Sequence, residues 1–116
     1  MKRAAYILVN GKKVLMYIIN EVNGVCLTRG VKDNGGFMVK KSEVLDEPIK
    51  LHEKLQFLKD KKGVFLREIA ESTELSIPYI SDIMRGRTNP SISTVNTLCK
   101  YFGITLSEFF SDVTVE

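Results

Sequence analysis

Seven consecutive residues, Arg85-Gly86-Arg87-Thr88-Asn89-Pro90-Ser91, concentrate the groups that hold phosphate oxygens: two guanidinium ions, two hydroxyls and a side-chain amide. Asn89-Pro90-Ser91 is also a turn that leaves a polar cap at the start of a following helix, where free backbone amides bind phosphate. Nothing else in the chain gathers chemistry in this way. The sequence contains no nucleophile-base-acid constellation, no glycine loop followed by Lys-Ser/Thr, and no metal-ligand cluster. We therefore expect no enzyme, no cofactor and no metal. His52, the only histidine, reads as a solvated side chain on a polar helix face. Cys26 and Cys99 lie far apart in dissimilar contexts and read as reduced thiols of a cytoplasmic protein.

The elements that must position those groups are constrained by composition. The chain has 116 residues, 44% of them hydrophobic, with a net charge of +3. That is one ordinary domain or two small ones, apolar enough to bury a core and to exclude disorder. Up to Pro48 there are eight basic residues against five acidic ones; after it, nine against nine. The whole excess lies in the first part, so any phosphate binding by the second rests on local placement of charge. The apolar run Tyr6-Ile7-Leu8-Val9 ends at Asn10-Gly11-Lys12-Lys13, too early for a signal peptide or a membrane span, and neither export nor membrane insertion is expected.

Periodicity divides the chain into residues 1–47 and 48–116. In the first segment Tyr6–Val9, Val14–Ile19, Val25–Thr28 and Phe37–Val39 are short apolar runs separated by turn signals: Asn10-Gly11, Asn20-Glu21-Val22-Asn23-Gly24, and Lys32-Asp33-Asn34-Gly35-Gly36. An antiparallel meander of three to four strands follows. A sheet this small has a thin core, so it is expected to pack on the second segment or on a second copy of itself. Lys12, Lys13, Arg29, Lys40 and Lys41 are read as structural, because strand-edge lysines block edge-to-edge pairing. Glu43 to Pro48 is the connection.

After Ile49 the apolar period becomes 3.6. Leu51, Leu55 and Leu58 share one face of a first helix that stops at Gly63. A second helix covers roughly Phe65 to Thr73. A third starts after the cap Ser76, turns Ile80 and Ile83 inward, and stops by Gly86. A fourth runs from about Ser91 to Gly103 with Ile92, Val95, Leu98 and Phe102 as its apolar stripe. Thr105-Leu106-Ser107-Glu108 is a capping box opening a short fifth helix, closed by Phe109-Phe110. The fold class is α+β: a small antiparallel meander followed by five helices.

Five short helices with a tight turn between the second and third outline a helix-turn-helix domain. Segment 51–110 resembles the Cro/phage-repressor type, also called the xenobiotic-response-element type, with a lambda-repressor-like arrangement. The resemblance rests on Arg67-Glu68-Ile69-Ala70-Glu71, Leu75 to Ile83, Arg85 to Ser91, and Thr94 to Phe110; the N-terminal segment is not part of it. Three departures from the family pattern, at four positions, stand out. Glu74 stands where a turn glycine is common, Phe65-Leu66 replace a serine cap and a phosphate-touching glutamine, and Met84 replaces a glutamate.

The resemblance implies that the third helix enters a major groove. Ser76, Ile77, Pro78, Tyr79 and Asp82 would then face base edges: Tyr79 as a hydrogen-bond donor, Ile77 and Pro78 against thymine methyls, Asp82 toward a cytosine amino group. Arg85, Arg87, Thr88, Asn89 and Ser91 would hold phosphates, with Arg67 joining them from the second helix. The implied function is a dimeric, sequence-specific DNA-binding transcriptional regulator, a repressor, with double-stranded DNA and a second copy of the chain as partners and no membrane. The N-terminal segment would supply the dimer contact, a partner-protein site or extra phosphate contacts. The alternative is a protein-binding module, since Phe65, Leu66, Ile77, Pro78 and Tyr79 would form an apolar patch on the face that otherwise meets DNA.

Overall fold

Two Asn-Gly pairs shape the first half of the chain. Asn10 and Gly11 have φ of 52° and 77°, and Asn23 and Gly24 have 53° and 78°, the paired left-handed conformations of a type I′ hairpin turn. A computed structural model describes residues 3–30 and 36–113. In it the first turn joins β1 (Arg3–Val9) to β2 (Lys12–Val22) and the second joins β2 to β3 (Val25–Arg29). With β4 (Gly36–Lys40) they form an antiparallel sheet of order β1-β2-β3-β4. The meander expected from the sequence is thus present.

Details of the sheet differ from expectation. Asn20, read as the start of a turn, lies inside β2, which continues to Val22; a register shift between Ile18 and Asn20 absorbs the extra residue as a bulge. The reversal expected at Lys32-Asp33-Asn34-Gly35-Gly36 lies outside the described residues apart from Gly36, which opens β4. The edge-protection account of the basic residues holds only for Lys40. Lys12, Lys13 and Arg29 sit on the interior strands β2 and β3, and Lys41 begins a 3-10 turn, Lys41–Glu43. Lys13 instead pairs with Glu47 and lies 4.6 Å from the Tyr6 ring centroid, while Lys41 pairs with Glu21 at 3.0 Å. The outer edge of β1 is covered by the chain itself: Val44 bridges Ile7, and the Leu45 amide donates to the Tyr6 carbonyl at 2.8 Å.

One face of the sheet buries Ala5, Ile7, Met16, Ile18, Cys26 and Val39. Cross-strand register explains the grouping, since Ala5 opposes Met16 and Cys26 opposes Val39. Alternation sends Val22, Val25, Leu27 and Met38 to the other face, where they stay largely exposed.

The chain divides into two compact units, residues 1–49 and 50–116. The second holds α1 (Leu51–Lys62), α2 (Leu66–Thr73), α3 (Ile77–Met84), α4 (Ile92–Phe102) and α5 (Leu106–Phe110). Its core is Leu55, Leu58, Ile69, Ile80, Ile83, Met84, Val95, Leu98, Cys99, Phe109 and Val113. Each large member contributes about 1.5–3 kcal/mol by leaving water. Burial pushes the Cys99 thiol up; for the Tyr101 phenol, burial first and the Glu68 carboxylate second do the same.

Local signals set the helix ends. Ser76, Ser91 and Thr105 each accept the amide of the residue three positions on, and Glu108 returns the bond to Thr105 to complete the capping box. Gly63 and Gly103 close α1 and α4 in the left-handed conformation. Buried within this unit, Lys54 Nζ lies 2.9 Å from Asp112 Oδ2. Asp112 Oδ1 finds no partner among the described residues.

Two readings of the helical segment are corrected. Ile92 is 62% exposed and not part of the apolar stripe of α4, because it directly follows the Ser91 cap and points away from the core; Cys99 fills the inward register with Val95 and Leu98. His52 is not simply solvated. Its half-buried ring lies against Gly86, so close that a Cβ there would sit 3.0 Å from Nδ1.

Candidate nucleic-acid interface

The geometry of the turn between α2 and α3 decides how α3 is presented. Glu74, in the position where glycine is common, is not rebuilt into another turn: it takes φ 64° and ψ 13°, and its amide donates to the Ala70 carbonyl at 2.9 Å. Leu75 then anchors the turn against the core. Ser76 caps α3, its Oγ accepting from the Tyr79 amide at 3.2 Å, with Pro78 in the first turn where its missing N–H costs nothing. Ile80 and Ile83 are fully buried, as expected. Ala70 packs on the same core, its methyl permitting the close approach of α2.

This burial leaves Ser76, Ile77 and Pro78 exposed at the tip of α3, with Tyr79 and Asp82 half-buried along its side. Met84, in place of the common glutamate, is buried in the core. Phe65 caps α2 without any side-chain bond and is 68% exposed. Arg67 is exposed on the first turn of α2. Of the five residues suggested as an apolar patch, Leu66 and Tyr79 pack partly onto the core, leaving Phe65, Ile77 and Pro78 outside.

Beyond α3 the chain makes a tight exit. The Arg85 amide donates to Ser81 at 3.0 Å, that of Gly86 to Ile83 at 3.1 Å, and that of Arg87 to the Asp82 carbonyl at 2.9 Å. Gly86 has φ 73°, a conformation that favours glycine, and a Cβ there would press on the His52 ring at 3.0 Å. The guanidinium groups of Arg85 and Arg87 are held at the surface by this turn, with Asn89 and Ser91 exposed and Thr88 half-buried nearby. Arg87 Nη1 is 4.0 Å from Asp82 Oδ1, with the side chains 64% and 49% exposed. An ion pair so open to water is weak, so Arg87 can turn to a phosphate at little cost.

The structure also brings in one residue the sequence did not single out. Thr94, on the first turn of α4, has its hydroxyl 3.1 Å from Ser91 Oγ and 3.4 Å from the Tyr79 hydroxyl. Its backbone amide donates to Ser91 Oγ at 3.2 Å. A signal was present in Ser91-x-x-Thr94, which places a hydroxyl at the third helical position, but its meeting with Tyr79 depends on how α3 crosses α4.

The profile of the family described as Helix-turn-helix matches residues 55–109, which span α1 to α5. The clp gene regulator ClgR from C. glutamicum superposes with a TM-score of 0.50 at 31% identity, over 53% of this chain and 80% of that one. Residues 55–109 belong to the helix-turn-helix family. Among curated relatives, the HTH-type transcriptional regulator DdrOP3 of Deinococcus deserti is 42% identical over 65 residues, covering 56% of this chain and 50% of its own. The HTH-type transcriptional regulator PuuR of Escherichia coli is 36% identical over 67 residues, covering 58% and 36%. The chain therefore spans half or less of the length of these curated relatives. No helix among the described residues is long and apolar enough to cross a membrane.

Proposed function

We propose that the protein is a cytoplasmic, sequence-specific DNA-binding transcriptional regulator that acts as a dimeric repressor and is not an enzyme. The observation that carries this reading is the pairing of an exposed α3 tip with a surface turn holding Arg85 and Arg87, both fixed by the same buried Ile80 and Ile83. Ser76, Ile77, Pro78, Tyr79 and Asp82 read base edges in the major groove, while Arg67, Arg85, Arg87, Thr88, Asn89 and Ser91 hold phosphates on either side. The Ser91 end of α4 adds free amides to the phosphate grip. One such helix discriminates few base pairs, and a dimer on two half-sites about one helical turn apart doubles the contacts. The dimer contact is assigned to the sheet unit, whose outward face exposes Val22, Val25, Leu27 and Met38.

The test is selection of bound sites from random duplexes, followed by anisotropy titrations over a range of salt. A palindromic site and an affinity falling steeply with salt are expected, and Arg87→Ala should weaken all duplexes alike and flatten the salt slope by about one unit. Absence of binding at low salt would overturn the proposal. The competing reading, a protein-binding module, draws on the exposure of Phe65 at 68% and Ile77 at 44%. It predicts that Phe65→Asp abolishes partner capture in a protein that binds no duplex.

A further inference from the structure

Tyr79 is held at both ends. Its ring packs partly against the core of the helical unit, and its hydroxyl meets Thr94 Oγ1 at 3.4 Å, which in turn meets Ser91 Oγ at 3.1 Å. Ser91 Oγ already accepts the Thr94 amide, so the three hydroxyls form a string from the cap of α4 to the face of α3. A tyrosine side chain has two main rotors; packing at its base and a long hydroxyl contact at its tip bias both before any ligand arrives. Fixing a rotamer in advance removes that ordering cost from binding.

We propose that Thr94 is a positioning residue for sequence readout: it holds Tyr79 in its reading orientation and ties that orientation to the phosphate-gripping end of α4. The inference rests on the DNA-binding reading above and assigns Thr94 no contact with DNA. The cap itself uses only the backbone amide of Thr94, so Thr94→Val keeps the Ser91 cap and the side-chain volume while cutting the string.

The experiment uses the full chain and two duplexes, the selected site and a scrambled one, with thermal melting in parallel. Thr94→Val should lower the ratio of affinities for the two duplexes by about two- to threefold, the lower end for one hydrogen bond, because the Tyr79–Thr94 contact is long at 3.4 Å. The salt slope should not change, because no cation on a phosphate is lost. Tyr79→Phe removes the reading hydroxyl together with the string and should lower the ratio at least as far, and the double variant should be no worse than Tyr79→Phe alone, since Thr94 acts only through that hydroxyl. Thr94→Ser restores the hydroxyl and should restore the ratio. A merely structural role would lower the melting temperature and both affinities together, leaving the ratio as in the parent. An unchanged ratio in Thr94→Val, strict additivity in the double variant, or failure of Thr94→Ser to restore the ratio each overturns the inference alone. If the parent protein selects no duplex, the DNA-binding reading falls and the inference falls with it.

Discussion

Replacing Glu74 by glycine should stabilise the helical unit. Glu74 is exposed, takes φ 64° and ψ 13°, and makes its one described hydrogen bond through the backbone. A left-handed conformation costs an L-residue about 1–2 kcal/mol, and glycine gives back about 0.4–1 kcal/mol through the greater freedom of its unfolded chain. The net gain is about 0.5–1 kcal/mol, which in a unit of this size raises the melting midpoint by about 2–8 °C. Circular dichroism at 222 nm reads this, because the α-helices among the described residues all belong to the second unit. Glu74→Ala serves as the control: it removes the carboxylate but keeps the Cβ, so it should gain nothing. A midpoint for Glu74→Gly at or below that of the parent, or a gain in Glu74→Ala as large as in Glu74→Gly, would refute the argument from backbone strain.

Gly86→Ala should cost more than Gly103→Ala. Both glycines have positive φ, worth at least about 1 kcal/mol to an alanine, but a Cβ at Gly103 meets nothing within 4 Å whereas one at Gly86 meets the His52 ring; adding His52→Ala should bring the two costs together in urea melts. Lys54→Met strands the Asp112 carboxylate and should lose about 1–3 kcal/mol, less than a fully buried pair because Asp112 is partly exposed. Adding Asp112→Asn should recover most of that loss in the same melts. Burial raises the Cys99 thiol, so stability should be flat below about pH 8.5, where the unfolded thiol begins to ionise, and should fall as the pH climbs through the raised folded value. Cys99→Ala, less stable throughout, should show a shallower alkaline decline in urea midpoints measured from pH 7 to 10; an equal decline would exclude the thiol as its source.

What could be read from the sequence was whatever a few neighbouring residues decide. Asn10-Gly11, the caps Ser76 and Ser91, the box at Thr105 and Glu108, and the stops at Gly63 and Gly103 all act within one turn of chain, and the structure has them. The strand through Asn20 was not legible, because a bulge lets a turn-prone residue stay in a ladder. Ile92 shows the limit of periodicity at a helix start, where the first residue after the cap lies outside the packed stripe. The candidate reading face followed from Ile80 and Ile83 facing inward. Its supports did not, since His52 against Gly86, Lys54 with Asp112, and Thr94 with Tyr79 join residues 34, 58 and 15 positions apart. Such pairings are fixed by how helices cross, and crossing angles are a property of whole packed faces.

The two cysteines fall one to each unit, Cys26 in the sheet and Cys99 in the helices, and both are buried. Each thiol is thereby a built-in gauge of its own unit. A labelling reagent reaches Cys26 only when the sheet opens and Cys99 only when the helical core does, so the two modification rates under native conditions measure separate opening free energies. Mass spectrometry of partly labelled protein would then tell whether the halves open together or one at a time.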